Sequence, residues 1–356
     1  MIINCSRAKT ALLCWRKAFN NHHRQLEGPR SMPLIDGGAF HDAVAGGLAT
    51  PSDHNWTRAL AEAKIRFDAS IKESTIPEEQ LFTIANHWEM IEKMVEIYRV
   101  NYNEEEYQVI QPECSFDVPL PNSHHNCVWL HHLEYVSGRR LAAIERWGPP
   151  AAQAIHEHRI TSPHATPDPT CGCWQPHRLV GKTDALVKWK GNLWLMEHKT
   201  TAIKGEQFWD QWDIDLQPTT YMYGMWKSLG IRPRGFVMDA IYKPSEPQIA
   251  AWNKARKYGA PKKTTDYMDY ERRPYLKTEE DLYEVERQYI DLCNDWESKI
   301  LRGYFPKSNV QGICKLYNRR CDYFMGCLTH DDPKEFEALA HRPDDYVMEK
   351  LLAILQ

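Results

Sequence analysis

LVGKTDALVKWKGNLWLMEHKTT, residues 179–201, decides the fold. From Ala185 to Met196 apolar residues alternate with others, and Lys190-Gly191-Asn192 interrupts them, so the stretch reads as two strands joined by a tight turn. Charge gathers at the open end: Asp184 on the first strand, then Glu197, His198 and Lys199 on the second. Pairing about the turn sets Asp184 near Glu197, within the reach of one bound cation. Two converging carboxylates repel unless positive charge lies between them. A hard divalent ion such as Mg²⁺ or Mn²⁺ meets that need, because it takes oxygen ligands and keeps waters. Lys199 projects from the same strand face as Glu197, where a lysine can orient a metal-bound water or neutralise a phosphate as the ammonium, or deprotonate that water as the free amine. His198 points away and offers the site its backbone carbonyl. An exposed hairpin held by a salt bridge fits an isolated D…ExK equally well, so the flanks must decide.

The chain of 356 residues is 42% apolar and carries 13 Trp, enough for a sizeable core in one large domain or two ordinary ones. No window holds eighteen uninterrupted apolar residues, and the opening MIINCSRAKTALLCWRKAF is too polar for an export signal, so a cytoplasmic protein with no membrane span is expected. In that reducing compartment the ten cysteines point to a metal or cluster rather than to disulfides. A net charge of −4 excludes a globally basic nucleic-acid binder. One local candidate exists in Lys254–Lys277, where eight Lys/Arg outnumber three Asp/Glu and four tyrosines are interleaved. The same segment reads equally as a solvated mobile loop.

The front third is helical in pattern. Ala11, Leu12, Trp15 and Phe19 predict one helix over 5–27, stopped by Gly28-Pro29; another starts near Asp36-Gly37-Gly38, and Trp56 to Val100 is amphipathic and divided at Pro77. Strand signals follow at Tyr107–Leu120, Cys127–Leu133 and Leu179–His198, with a helical piece and an irregular loop between Glu145 and His177. After Gln217 come a helix, a strand at Gly235–Tyr242, a loop, and a long helix from Thr278 to about Leu301. The order predicts an α/β or α+β domain without internal repeats.

Four short elements occur in one order: Gly37-Gly38-Ala39-Phe40-His41, Gly181-Lys182-Thr183-Asp184, Glu197-His198-Lys199-Thr200-Thr201 and Gln217-Pro218-Thr219-Thr220-Tyr221. As GxxxH, GxxD, (D/E)xKT and QxxxY, this set resembles the RecB-like branch of the PD-(D/E)XK nuclease superfamily. The resemblance implies a restriction-endonuclease-like core, α/β with a central mixed β-sheet flanked by helices. It implies that His41, Asp184, Glu197 and the carbonyl of His198 hold Mg²⁺ or Mn²⁺, that Lys199 is the catalytic lysine, and that Gln217 and Tyr221 position the substrate strand. Residues four apart on a helix share a face, so the last two can both point at the centre.

Near the C terminus Cys314, Cys321 and Cys327 fall within fourteen residues. Three soft ligands call for a fourth, in an iron–sulfur cluster or a structural zinc site. In iron–sulfur members of the RecB-like branch one cysteine precedes GxxxH and three follow the core, which implies Cys14 as the fourth ligand of a structural [4Fe-4S] clip. The chain departs from that pattern in reading C-x6-C-x5-C where the family has C-x2-C-x5-C, and in having Trp15 where proline is usual. A competing zinc set is His156, His158, His164, Cys171, Cys173 and His177. Cys5, Cys114, Cys127 and Cys293 read as buried apolar thiols.

The resemblance runs from Cys14 to Cys327 and implies one nuclease domain over residues 1–327. Within it a helical region spans residues 1–105, a catalytic core 106–245, and a helix and cysteine segment 278–327; a helical tail covers 328–356. No GxxxxGK[ST] accompanies it, so ATP-driven translocation is not expected. The implied activity is a metal-dependent exonuclease acting on DNA ends in recombination, repair or phage DNA processing, in a bacterial or phage-infected cell, working with recombination or replication proteins. A structure-specific endonuclease or RNase with the same centre, and a non-catalytic metal-cluster module that binds DNA, are the alternatives.

Overall fold

The structure, a computed structural model, describes residues 2–22, 26–27, 31–49, 55–74, 84–102, 106–124, 176–230, 232–245, 248–249, 268–302, 304–308, 310, 312–318, 320–328 and 340–341. In chain order these form β1 (Ile2–Ile3), α1 (Cys5–Leu13), α2 (Trp15–His22), β2 (Leu26–Glu27), α3 (Met32–Leu48), α4 (Trp56–Glu73), α5 (Ile84–Asn101) and β3 (Tyr107–His124). There follow β4 (Pro176–Trp189), β5 (Asn192–Thr201), α6 (Glu206–Trp209), α7 (Gln211–Ile214), α8 (Leu216–Leu229), β6 (Gly235–Tyr242), β7 (Asp269–Leu276) and α9 (Glu279–Arg302). A 3₁₀ turn (Ile313–Asn318), α10 (Phe324–Leu328) and β8 (Ala340–His341) complete them.

The hairpin organises the sheet. Lys190 and Gly191 both take positive φ (47° and 76°), the geometry of a two-residue turn whose twist matches its flanking strands, and Trp189 pairs with Asn192. Antiparallel pairing of β4 with β5 runs back only to Ala185–Met196. Beyond it the strands part: β5 goes on beside β6 in parallel, while Arg178 and Leu179 of β4 pair in parallel with β1. Asp184 and Glu197 sit at this fork. The sheet reads β1-β4-β5-β6-β7, with β3 antiparallel to β4 and β7 antiparallel to β6. It is a mixed sheet flanked by helices, the architecture the resemblance implied.

Both faces are covered, which is why β6 is buried along its whole length. Alternate residues serve opposite cores. Leu186, Leu195, Met238 and Ala240 pack in a cluster with α1, α8 and α9, whereas Ala185, Met196, Val237 and Ile241 pack in one with α3, α4 and α5. In the first cluster Phe116 lies where only two glycines permit it: a Cβ on Gly181 would fall 2.4 Å, and one on Gly224 2.2 Å, from its ring. The ring meets Tyr221 edge-on at 6.0 Å. The glycine of GxxD thus makes room for the residue that backs Tyr221.

Three elements differ from expectation. The first helix breaks at Cys14, which is extended (φ −160°, ψ 110°); its N–H closes α1 on the Thr10 carbonyl and its carbonyl starts α2 at the Ala18 N–H, both at 2.9 Å. The break turns Trp15 towards Trp296 (5.7 Å) and stacks Phe19 on Phe305 (4.2 Å). Residues 26–27 are strand rather than helix, paired with Ala340–His341. Asp269–Leu276, read from sequence as loop, is the edge strand β7, charged along its length and carrying Pro274 opposite Val237. In addition, α3 begins at Met32, one turn before Asp36, with Pro33 in its first turn. The predicted strand Cys127–Leu133 and helical piece after Glu145 lie outside the described residues, as do residues 254–267 of the basic segment.

Among the described residues no helix is long and apolar enough to cross a membrane. Cys5, Cys114 and Cys293 are buried as expected, and burial pushes their thiols from 9.0 to about 12, 11 and 12; Cys127 lies outside the described residues. Burial likewise holds the Tyr98 and Tyr289 hydroxyls well above their ordinary 10.0. Raised native values mean that the folded state binds these protons more tightly than the unfolded chain. Their contribution to stability is therefore complete below pH 9.0, the ordinary thiol value, and is lost as the pH climbs towards the native values. Urea midpoints should fall steeply between about pH 9 and 11, and a flat profile there would contradict the burial.

Candidate active site

The fork brings the charged ends together. Asp184 and Glu197 each stand one residue beyond the Ala185–Met196 pair, and the backbone N–H of His198 donates to Asp184 Oδ2 at 2.7 Å. From the α3 side His41 sets Nδ1 3.2 Å from Asp184 Oδ1. From the opposite face Lys199 Nζ and Gln217 Nε2 each donate to Glu197 Oε1 at 2.5 Å. Gln217 also reaches the Tyr221 hydroxyl at 3.2 Å, one turn along α8. The structure therefore gathers His41, Asp184, Glu197, Lys199, Gln217 and Tyr221 around one fork.

His198 is a correction. Its side chain was expected to leave the site, and strand alternation does turn it to the face opposite Glu197 and Lys199. Because Asp184 stands where β4 and β5 have parted, it is reached from that face too, and His198 Nδ1 lies 3.4 Å from Asp184 Oδ2. Burial alone would raise Asp184; the charge of His41 and hydrogen bonding from His198 instead hold it well below the carboxylate range. Burial, then the charge of Asp184, pushes Glu197 upward. Burial would lower Lys199, but Glu197 and Asp184 outweigh it and raise its pKa, so the ammonium stays charged.

One atom of this constellation lacks a partner. Glu197 Oε2 is buried and accepts no hydrogen bond from the described residues, although the residue is only 5% exposed. Separately, the ligand atoms of His41, Asp184 and His198 all lie within 4.8 Å of one another. Asp184 carboxylate oxygen and the His41 imidazole are donors that a divalent cation fits, and the partnerless Glu197 oxygen, whose residue feels the charge of Asp184, is a further one.

Residues 3–327 match the PD-(D/E)XK nuclease superfamily. The chain belongs to that superfamily. A comparison with curated proteins gives no match. As a PD-(D/E)XK protein it is a nuclease, a phosphodiesterase of a group that uses divalent ions such as Mg²⁺ or Mn²⁺.

Some supporting residues escaped the sequence reading. Asp215 caps α8 by accepting the Gln217 N–H at 2.7 Å and pairs with Lys9 of α1 at 2.6 Å. Asp two residues before Gln217 was a readable capping signal; its partner, some two hundred residues away, was not. Trp212 is buried beneath Lys199, whose ammonium lies 5.7 Å from the ring centre.

The cysteines expected to bind a cluster are all half-buried. Burial raises the Cys321 thiol, and Cys14 is among the neighbours that add to the shift. The Cys321 N–H bonds the Cys314 carbonyl at 2.9 Å. Around them α2 and β2 are tied to the C-terminal segment: Arg16 Nε of α2 donates to the Phe305 carbonyl at 2.8 Å, and the Tyr323 hydroxyl meets Asn21 of α2 and the Leu26 carbonyl of β2, the latter at 2.6 Å. Of the competing zinc set, His177 is described, buried with Nε2 3.4 Å from Glu297; the other five lie outside the described residues.

Proposed function

We propose that this nuclease is an exonuclease of the RecB-like branch, degrading DNA from its ends in recombination, repair or phage DNA processing. The observation that carries the reading is the Gln217 amide, bonded to both Glu197 and Tyr221. It gives the QxxxY element a place at the centre beside the elements that define the superfamily. His41, Asp184, Glu197 and the His198 carbonyl would hold the divalent ion, which supplies Lewis-acid stabilisation of the phosphoryl charge and acidifies water. Lys199, kept charged by Glu197, faces the scissile phosphate as a fixed cation and donor. Gln217 and Tyr221 hold the strand so that one phosphodiester sits at the fork.

DNA labelled at its 5′ or 3′ end, single- and double-stranded, tests the reading against a covalently closed circle in Mg²⁺ or Mn²⁺. Linear DNA should shorten from an end while the circle survives. Cutting of the circle, or preference for RNA, would overturn the exonuclease assignment and leave the superfamily chemistry standing.

We further propose that Cys14, Cys314, Cys321 and Cys327 hold a structural [4Fe-4S] cluster. Four half-buried thiols on segments already stapled together, with Cys14 at a helix break, are a donor set suited to it. Protein purified without oxygen should be brown, with iron and sulfide in near-equal amounts. Cys14→Ser should lower the melting temperature as much as Cys321→Ser. Colourless protein containing zinc is the contrary result. The enzyme would act in the cytoplasm of a bacterial or phage-infected cell and pass processed ends to recombination or replication proteins.

A further inference from the structure

We propose that Tyr98 fixes the tautomer of His198 and, through it, the orientation of Asp184, making Tyr98 and His198 a positioning pair for the cation site. This rests on reading Asp184 as a cation-binding carboxylate. Tyr98, on α5, is wholly buried and meets the His198 ring edge-on at 5.1 Å. Its hydroxyl lies 3.0 Å from His198 Nε2. The other ring nitrogen, Nδ1, lies 3.4 Å from Asp184 Oδ2, the oxygen that already accepts the backbone N–H of the same histidine at 2.7 Å.

The proton on a neutral imidazole has two possible seats. On Nε2 it would leave the Nδ1 lone pair facing a carboxylate oxygen in a buried place, a repulsive contact. On Nδ1 it gives Asp184 Oδ2 a second donor and frees Nε2 to accept the Tyr98 hydroxyl hydrogen. Asp239 is the other group near Nε2, with Oδ2 at 3.6 Å, but it does not need that proton. Arg272 Nη2 donates to Oδ2 at 2.8 Å, and Arg272 Nε and the Tyr270 hydroxyl (3.0 Å) donate to Oδ1. The alternative acceptor for Tyr98, Met196 Sδ at 3.8 Å, is a weak one. With Nδ1 protonated every polar atom of this chain of contacts is matched. Asp184 Oδ2 is then saturated by two donors from one residue, and Oδ1 alone turns towards His41 and the cation.

Partners that orient a ligating side chain typically contribute about 10–100-fold to metal affinity. Binding of Mn²⁺ to the full chain, read from the electron paramagnetic resonance signal of the free ion, tests the pair, with a melting curve for each variant. Tyr98→Phe keeps the ring and removes the hydroxyl, and should weaken Mn²⁺ binding by about 10-fold or more. Tyr270→Phe removes a hydroxyl from the far side of Asp239 and should leave the affinity unchanged. In a His198→Asn background the amide has no tautomer to fix, so adding Tyr98→Phe should cost no further affinity even if it lowers the melting temperature. Wild-type affinity in Tyr98→Phe, an equal loss in Tyr270→Phe, or an additive loss in the double variant overturns the proposal. Wild-type protein that binds no Mn²⁺, or binding untouched by Asp184→Ala, overturns the cation reading and this inference with it.

Discussion

Glu197→Gln should abolish divalent-ion-dependent cleavage while leaving the metal-free protein at least as stable as the parent. Lewis-acid assistance is worth several kcal/mol at the transition state, and each ~1.4 kcal/mol is tenfold in rate, so the loss should be roughly a thousandfold or more. Stability should move the other way. Glu197 buries an oxygen with no partner among the described residues, and the charge of Asp184 acts against its own. Glutamine keeps the shape, lets its carbonyl oxygen accept from Gln217 and Lys199, and removes the charge that burial and Asp184 both disfavour. Melting in chelator, compared with cleavage in Mn²⁺, checks both halves. A variant that melts well below the parent yet still cuts would place the chemistry elsewhere.

The second large effect lies at Gly224. An added methyl there would meet the Phe116 ring at 2.2 Å, a contact that only movement of the ring can relieve. Overpacking of this kind costs about 1–3 kcal/mol, occasionally more. Phe116→Ala should cost about 3–5 kcal/mol through the opposite fault, an unfilled cavity. The two faults occupy one volume, so the double variant should be less destabilised than the sum of the singles, which urea titration of all three would measure. Because Phe116 also backs Tyr221, Gly224→Ala should slow cleavage beyond what its melting temperature explains.

What could be read from the sequence was what repeats locally. The hairpin declared itself by alternation and by the Lys190-Gly191 turn, and the order of four short elements assembled the remaining site residues around it. What escaped depended on distant partners. β7 resembles a loop because an edge strand exposes charge and tolerates Pro274. The break at Cys14 carries no Gly or Pro; it exists because Trp15 and Phe19 must turn towards Trp296 and Phe305, nearly three hundred residues away. Strand alternation correctly turned His198 away from Glu197, but no pattern announces that a strand pair will fork one residue earlier and open Asp184 to both faces.

The stapling of the first helices to the last segment sets a schedule for synthesis. β1 meets its strand partner only when β4 is made, Lys9 meets Asp215 only when α8 begins, and α2 meets Phe305 and Tyr323 only when the C-terminal segment emerges. At about 5–20 residues per second, the front of the chain waits on the order of tens of seconds for the back. The site residues, His41 to Tyr221, are thus all made before the segment that fastens α2 exists, and the support around α2 is the part completed last.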